Sequence, residues 1–277
     1  MKDCNITFIG GGNMARSLIG GLISDGFEPR HIHVSDPEPL CLQALTDKYP
    51  IHAYSSNIEA ANACDVLILA VKPQQLQSVI RQLAPHWQAD RLLISIAAGI
   101  RIDDIARWLE QEEAAIVRAM PNTPSLVQAG ATALSANEFV SMQQHELAES
   151  ILRAVGLALW VGDEEKMDAV TALSGSGPAY FFLVMEAMEV AATEMGLDAE
   201  SARLLCLQTA FGAAKMALES DETTKTLRER VTSPGGTTER ALIELEDGGI
   251  RSLFENALVA AALRSRELAN QLGEDDA

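Results

Sequence analysis

Ile6-Thr7-Phe8-Ile9-Gly10-Gly11-Gly12-Asn13-Met14-Ala15 is the stretch that decides the fold. An apolar run breaks into three glycines and then opens a helical pattern that reaches about Asp25. The spacing is G-x-G-x-x-A. Gly10 permits a tight turn, Gly12 lets a pyrophosphate approach the backbone, and Ala15 lets the helix lie close to a sheet. The helix start adds unpaired N–H groups and a positive dipole end for phosphate. Glycines also occur in ordinary strand–helix turns, so the match takes its weight from the βαβ unit around it.

That unit repeats outward. Residues 5–9, 31–35, 66–71, 92–96 and 115–119 are strand-like runs, each followed by a helical or loop pattern. Such alternation predicts an α/β fold with a parallel sheet. After Asp163 the strands stop, and helices are expected over 163–173, 178–196, 198–219, 235–247 and 249–272. The reading is a Rossmann-type dinucleotide-binding domain over 1–162, then an all-helical domain over 163–277. The boundary rests on texture, because no Pro/Gly-rich linker marks it.

The chain has 277 residues, 48% of them hydrophobic, with 39 acidic against 21 basic side chains and a formal charge of −18. That is a folded composition, and its sign argues against nucleic acid and anionic membrane surfaces. Residues 1–162 carry 17 acidic and 11 basic side chains, residues 163–277 carry 22 and 10, so the excess concentrates on the helical half. Cys4, Cys41, Cys64 and Cys206 are scattered without C-x-x-C spacing, and no metal site is read. No run is long and apolar enough for a membrane span or signal core. A cytoplasmic protein is expected.

Within 179–195, 13 of 17 residues are apolar; Glu186, Glu189, Thr193 and Glu194 are the exceptions. A helix apolar over most of its circumference must be buried from most directions. The helical half has few helices to enclose it, so a homodimer or a larger ring of dimers is expected. A central helix in a monomeric bundle is the alternative.

Candidate site residues follow from strand ends, where ligands of open α/β sheets gather. Val34-Ser35-Asp36 ends the second run. A carboxylate there can accept from a free ribose 2′-hydroxyl and would repel a 2′-phosphate, so NADH would be tolerated. The other reading makes Asp36 a helix cap with Pro37 at the first helical position. Ala70-Val71-Lys72-Pro73 ends the third run, where Lys72 is either a ligand contact or a plain surface lysine. Ser95-Ile96-Ala97-Ala98-Gly99 and Met120-Pro121-Asn122-Thr123-Pro124 bring small residues to the same edge. In the helical half, Leu173-Ser174-Gly175-Ser176-Gly177-Pro178-Ala179-Tyr180 and Ser233-Pro234-Gly235-Gly236-Thr237-Thr238 each enter a helix. Both are expected to expose N–H groups to a carboxylate, or simply to cap helices through Ser and Pro.

Taken in order, these segments and Phe211-Gly212-Ala213-Ala214-Lys215-Met216 resemble pyrroline-5-carboxylate reductase over about residues 5–270. The S-G-S-G-P-A-Y and S-P-G-G-T-T segments are specific to that family; the glycine fingerprint is not. The resemblance implies hydride transfer from NAD(P)H to the C=N carbon of 1-pyrroline-5-carboxylate, giving L-proline. It implies that Thr238 reaches the ring nitrogen and that Ser233, Gly236 and Thr237 hold the carboxylate, with Val231, Thr232, Gly235 and Ser176 also facing substrate. It places Gly10, Gly12, Asn13, Met14, Ser35, Asp36, Asn57, Ala70, Val71, Lys72, Pro73, Ala97, Ala98 and Gly99 at the cofactor. The family usually favours NADPH, and Asp36 makes NADH possible. It also implies a dimerising helical domain.

Two rivals stand beside it. A β-hydroxyacid dehydrogenase would want a lysine one turn into the helix after Gly175-Ser176-Gly177, but Phe181 stands there and no lysine lies between Lys166 and Lys215. A nucleotide sensor without turnover would not need two carboxylate cradles. No histidine lies beyond 162, so no imidazole acid comes from the helical half.

Overall fold

Strands β1 (Ile6–Ile9), β2 (Ile32–Ser35), β4 (Val66–Leu69) and β5 (Leu92–Ser95) are buried along their whole length. Near-continuous apolar runs of this kind belong to parallel sheets covered on both faces. The computed structural model describes residues 4–62 and 64–274. It adds β3 (His52–Tyr54), β6 (Ala115–Met120), β7 (Gly130–Ala136) and β8 (Gly156–Trp160) to one sheet of order β3-β2-β1-β4-β5-β6-β7-β8. Every neighbouring pair is parallel except β6 and β7, which run antiparallel with Val117 opposite Ala136. The strand order reverses between β1 and β4, which opens a crevice at their carboxyl ends.

Alternation along the strands feeds two apolar layers. Ile6, Phe8, Val34, Ile68 and Val117 pack with helices α1 (Asn13–Ser24), α2 (Pro39–Thr46) and α6 (Met142–Arg153). Ile9, Leu67, Leu69, Leu93 and Ile116 pack with α3 (Asn57–Ala61), α4 (Pro73–Leu83) and α5 (Ile102–Leu109). Each fully buried side chain of this size contributes about 1.5–3 kcal/mol. Gly130 and Gly156 let β7 and β8 start close together, since a Cβ on either would collide with the other strand or with Ser125.

Beyond Trp160 the described chain is helical: α7 (Met167–Val170), a π-helical stretch (Thr171–Gly175), α8 (Gly177–Glu194), α9 (Ala199–Glu219), α10 (Thr224–Arg230), α11 (Thr237–Asp247) and α12 (Ile250–Gly273). No described helix is long and apolar enough to cross a membrane. By packing, the chain forms two compact units. One comprises the chain up to Ser176 together with the chain from Ala260 onward; the other is Gly177–Val259. In the first unit, Ala269 and Leu272 of α12 lie against the would-be Cβ of Gly99, and Arg101 Nη2 donates to Asn270 Oδ1 at 2.6 Å.

The second unit has almost no interior of its own. Within Gly177–Val259 only Gly177, Ala202 and Cys206 are buried, although α8 and α9 pack together. Phe181, Phe182 and Leu183 of α8 are 64–68% exposed. An isolated unit of this size with no core could not offset its chain entropy.

Candidate active site

At the end of β1 the chain must turn sharply, and Gly10 does so with φ +103°. A Cβ there would come within 2.7 Å of the Ala70 carbonyl oxygen, so the turn leans on the end of β4. Gly10 N–H donates to Ser35 O and Ala70 N–H to Ile9 O, both at 2.8 Å, which stitches three strand ends together. Gly12 caps α1, and a Cβ at Gly12 would meet nothing within 4 Å. The amides of Gly12, Asn13, Met14 and Ala15 find no partner among the described residues. Ala15 is buried against the sheet. A glycine turn open on one side, with unpaired amides at a helix start, fits the pyrophosphate of a dinucleotide.

Asp36 lies two residues before the cap of α2. The helix is capped at Glu38 with Pro39 at its first position, so the reading of Asp36 as the cap with Pro37 following is corrected. Instead Asp36 Oδ2 accepts the Gly11 N–H and Oδ1 accepts the Glu38 N–H. Ser35, fully buried, donates its hydroxyl to Asn57 Oδ1 at 2.6 Å, and Asn57 Nδ2 donates to Gln82. Lys72 is exposed and caps α4, with Pro73 at the first position. Ala97 N–H donates to Ser95 Oγ, and Gly99 has φ +74°. The sheet edge thus brings together Gly10, Gly12, Asn13, Met14, Ser35, Asp36, Asn57, Ala70, Val71, Lys72, Pro73, Ala97, Ala98 and Gly99.

Arg16 does not stand out in the sequence, yet its Nε donates to Gly11 O at 3.0 Å and braces the turn. Its position one turn into α1 is the available signal. Asn122 is part of a small-residue segment with no role read for it. Its Oδ1 accepts from Ala131 N–H and its Nδ2 donates to Ser174 O, which ties the loop after β6 to the π stretch.

The two expected cradles of the helical half differ. Around Ser174-Gly175-Ser176 no open helix start exists: the backbone passes through the π stretch, and Ser176 N–H donates to Thr171 O. That expectation is corrected, because a π stretch uses the amides that a fresh helix start would leave free. Val231 caps the C-terminal end of α10, and Thr232 spends its hydroxyl on Arg228 O at 2.7 Å. At the next turn, Gly235 adopts φ +72° and Gly236 caps α11. Gly236 N–H donates to Ser233 O, and Gly235 N–H to Glu239 Oε2 at 2.7 Å. Of the donors expected there, these two are engaged. The amides of Thr237, Thr238 and Glu239 find no partner among the described residues, nor does the Thr238 hydroxyl. Sequence alone does not single out Glu239 either; its place in the first turn of the helix is the signal. Chemically, this helix start can hold a carboxylate and offer one hydroxyl beside it.

Residues 164–268 match the family described as pyrroline-5-carboxylate reductase dimerisation, and residues 5–99 match that described as NADP oxidoreductase coenzyme F420-dependent. A pyrroline-5-carboxylate reductase of Pseudomonas aeruginosa is 49% identical over 274 residues, 99% of this chain and 100% of that protein. A solved pyrroline-5-carboxylate reductase from Coxiella burnetii superposes with TM-score 0.92 at 50% identity, over 96% of this chain and 98% of that one. The Plasmodium falciparum pyrroline carboxylate reductase, solved with NADP bound, gives TM-score 0.85 at 31% identity, over 97% and 99%.

Proposed function

The chain belongs to the pyrroline-5-carboxylate reductase family, and from that membership we infer that it reduces 1-pyrroline-5-carboxylate to L-proline by hydride transfer from NAD(P)H, the last step of proline synthesis. The observation that carries the reading is the likeness of the whole chain to reductases of that name. A coupled assay of pyrroline-5-carboxylate with NADPH and with NADH tests it, and absence of turnover with both would overturn it.

The nicotinamide, when bound, supplies the hydride that reaches the C=N carbon. The chain's own residues bind, orient and protonate. The unpaired amides of residues 12–15 take the pyrophosphate. Ser35, Asp36, Asn57, the 70–73 segment and the 97–99 segment line the rest of the dinucleotide path. On the substrate side, the amides of Thr237 and Thr238 hold the carboxylate and the Thr238 hydroxyl donates to the ring nitrogen. Ser233 and the turn through Gly235 and Gly236 shape that cradle, next to Val231 and Thr232. Ser176 is assigned to substrate on the family resemblance alone. A protonated imine is already electrophilic, so positioning and fixed dipoles supply most of the acceleration. This division of labour assigns coenzyme to residues 1–162 and substrate to 163–277.

For the coenzyme, the proposal is that NADPH is used and that NADH is accepted because Asp36 presents a carboxylate at the ribose end of β2. The apolar face of α8, uncovered in one chain, is read as the surface that a second copy covers. The acidic balance of the chain argues against nucleic acid as a partner.

A further inference from the structure

Away from the glycine turn, between α5, the turn Glu164–Lys166 and the last turns of α12, lies a cavity of about 400 Å³. All of its lining residues belong to the first unit, and none is assigned above to coenzyme or substrate.

Arg118 of β6 lines it and is only 4% exposed. Its Nη1 donates to Glu164 Oε1 at 2.9 Å, an oxygen that also accepts the Ile102 N–H. Nε and Nη2 of Arg118 have no partner among the described residues. These donors are not sealed in the packed interior, so the free edge of the guanidinium opens on the cavity. A carboxylate entering the cavity matches that planar fork.

The rest of the lining selects against a plain anion. Arg101 and Arg266 add positive charge, but the first is engaged with Asn270 and the second with Asp168. Against them stand Asp103 and Glu165, both exposed, whose carboxylates have no partner among the described residues. Three guanidinium groups thus face four carboxylates, counting Glu164 and Asp168. A phosphate or dicarboxylate would meet net repulsion. One carboxylate carried with two ammonium groups complements the set.

We propose that this cavity binds a basic α-amino acid, its carboxylate forked onto Arg118 and its ammonium groups facing Asp103 and Glu165. Titration calorimetry of the full chain with L-lysine tests this. Saturable binding at one site per chain is expected, and it should persist with saturating NADPH or L-proline. L-lysine methyl ester, which lacks the carboxylate, should bind at least about tenfold more weakly, a loss equal to one ionic contact. Asp103→Asn and Glu165→Gln sit at exposed positions, and together they should weaken L-lysine by a similar factor while leaving imine reduction intact. Arg118→Lys should abolish binding; the exposed pair keeps the test valid if that variant unfolds. Lack of saturation, displacement by NADPH or L-proline, or equal affinity for the ester or the double variant would overturn the proposal.

Discussion

Asp36 Oδ2 accepts a hydrogen bond from Gly11 N–H at 2.7 Å, joining the end of β2 to the middle of the glycine turn. A second amide, that of Glu38, holds the other oxygen at 2.8 Å. The carboxylate is therefore fixed in orientation before any coenzyme arrives. Asp36→Ser should remove its charge from the ribose site and raise the NADPH/NADH ratio of kcat/KM by up to about fivefold, the effect of one screened charge contact. Steady-state kinetics with both coenzymes measure it, and an unchanged ratio would show that Asp36 serves only the turn.

Thr238 offers an unpaired hydroxyl at the start of α11. Thr238→Ala should lower kcat/KM for the imine about 10²-fold, as for loss of a donor aimed at developing charge. NADPH affinity should not move, and Thr238→Ser should restore most of the rate. Wild-type turnover in the alanine variant would remove the assigned role.

Gly10 combines φ +103° with close backbone approach: a methyl group on its Cα would sit 2.7 Å from Ala70 O. Gly10→Ala should cost about 1–3 kcal/mol in strain and weaken NADPH binding with it. Thermal unfolding and coenzyme titration read the two effects separately. A variant as stable as wild type contradicts the tight contact.

His33 stacks on His52 with ring centroids 4.9 Å apart, and its Nδ1 lies 3.0 Å from the Tyr54 hydroxyl. Burial holds its pKa below the usual 6.5, and the neighbouring His52 and His31 push the same way. A depressed pKa favours the folded state above the unfolded value and loses that advantage as pH falls through the folded value. Stability should therefore decline as pH drops below about 6.5, and His33→Gln should flatten that decline. Unfolding midpoints across a range of about pH 7.5 to 5 would show it; parallel curves would sink the assignment.

Phe182 is 64% exposed on α8 in a unit with only three buried residues. Phe182→Glu should convert the assembly to monomers of lower unfolding temperature, as seen by light scattering and calorimetry. An unchanged mass would place the subunit contact elsewhere.

Five strands are legible in the sequence because their side chains are buried on both faces and read as short runs rich in apolar and β-branched residues, broken only by single polar residues such as His33 and Arg118. The three that are not have physical reasons. β3 is three residues long on the sheet edge, with His52 and Ala53 exposed. β7 is built of Gly, Ala, Thr and Ser with a single leucine, and β8 begins on glycine. Helix α10 is hidden in a polar run, where Thr223 caps it by accepting the Thr226 N–H. At the candidate site the glycine turn is readable from spacing alone. The Asp36–Gly11 bond spans 25 residues, and the π stretch before α8 looks in sequence like any serine–glycine turn.

The last turns of α12 also set an order of events during synthesis. Residues from Ala260 onward belong to the same compact unit as the glycine turn, although the helical unit lies between them in the chain. There Arg107 donates to Gly273 O, and Ser265 donates to Asp168 at 2.7 Å. Domains generally fold from the N-terminus as the chain leaves the ribosome, but this unit is completed only when the residues after Ala260 have emerged. Nascent chains stalled before Ala260 would leave Gly99, Arg101 and Arg107 without their contacts from α12, so the outer side of α5 would stay open to proteases and chaperones until α12 is made.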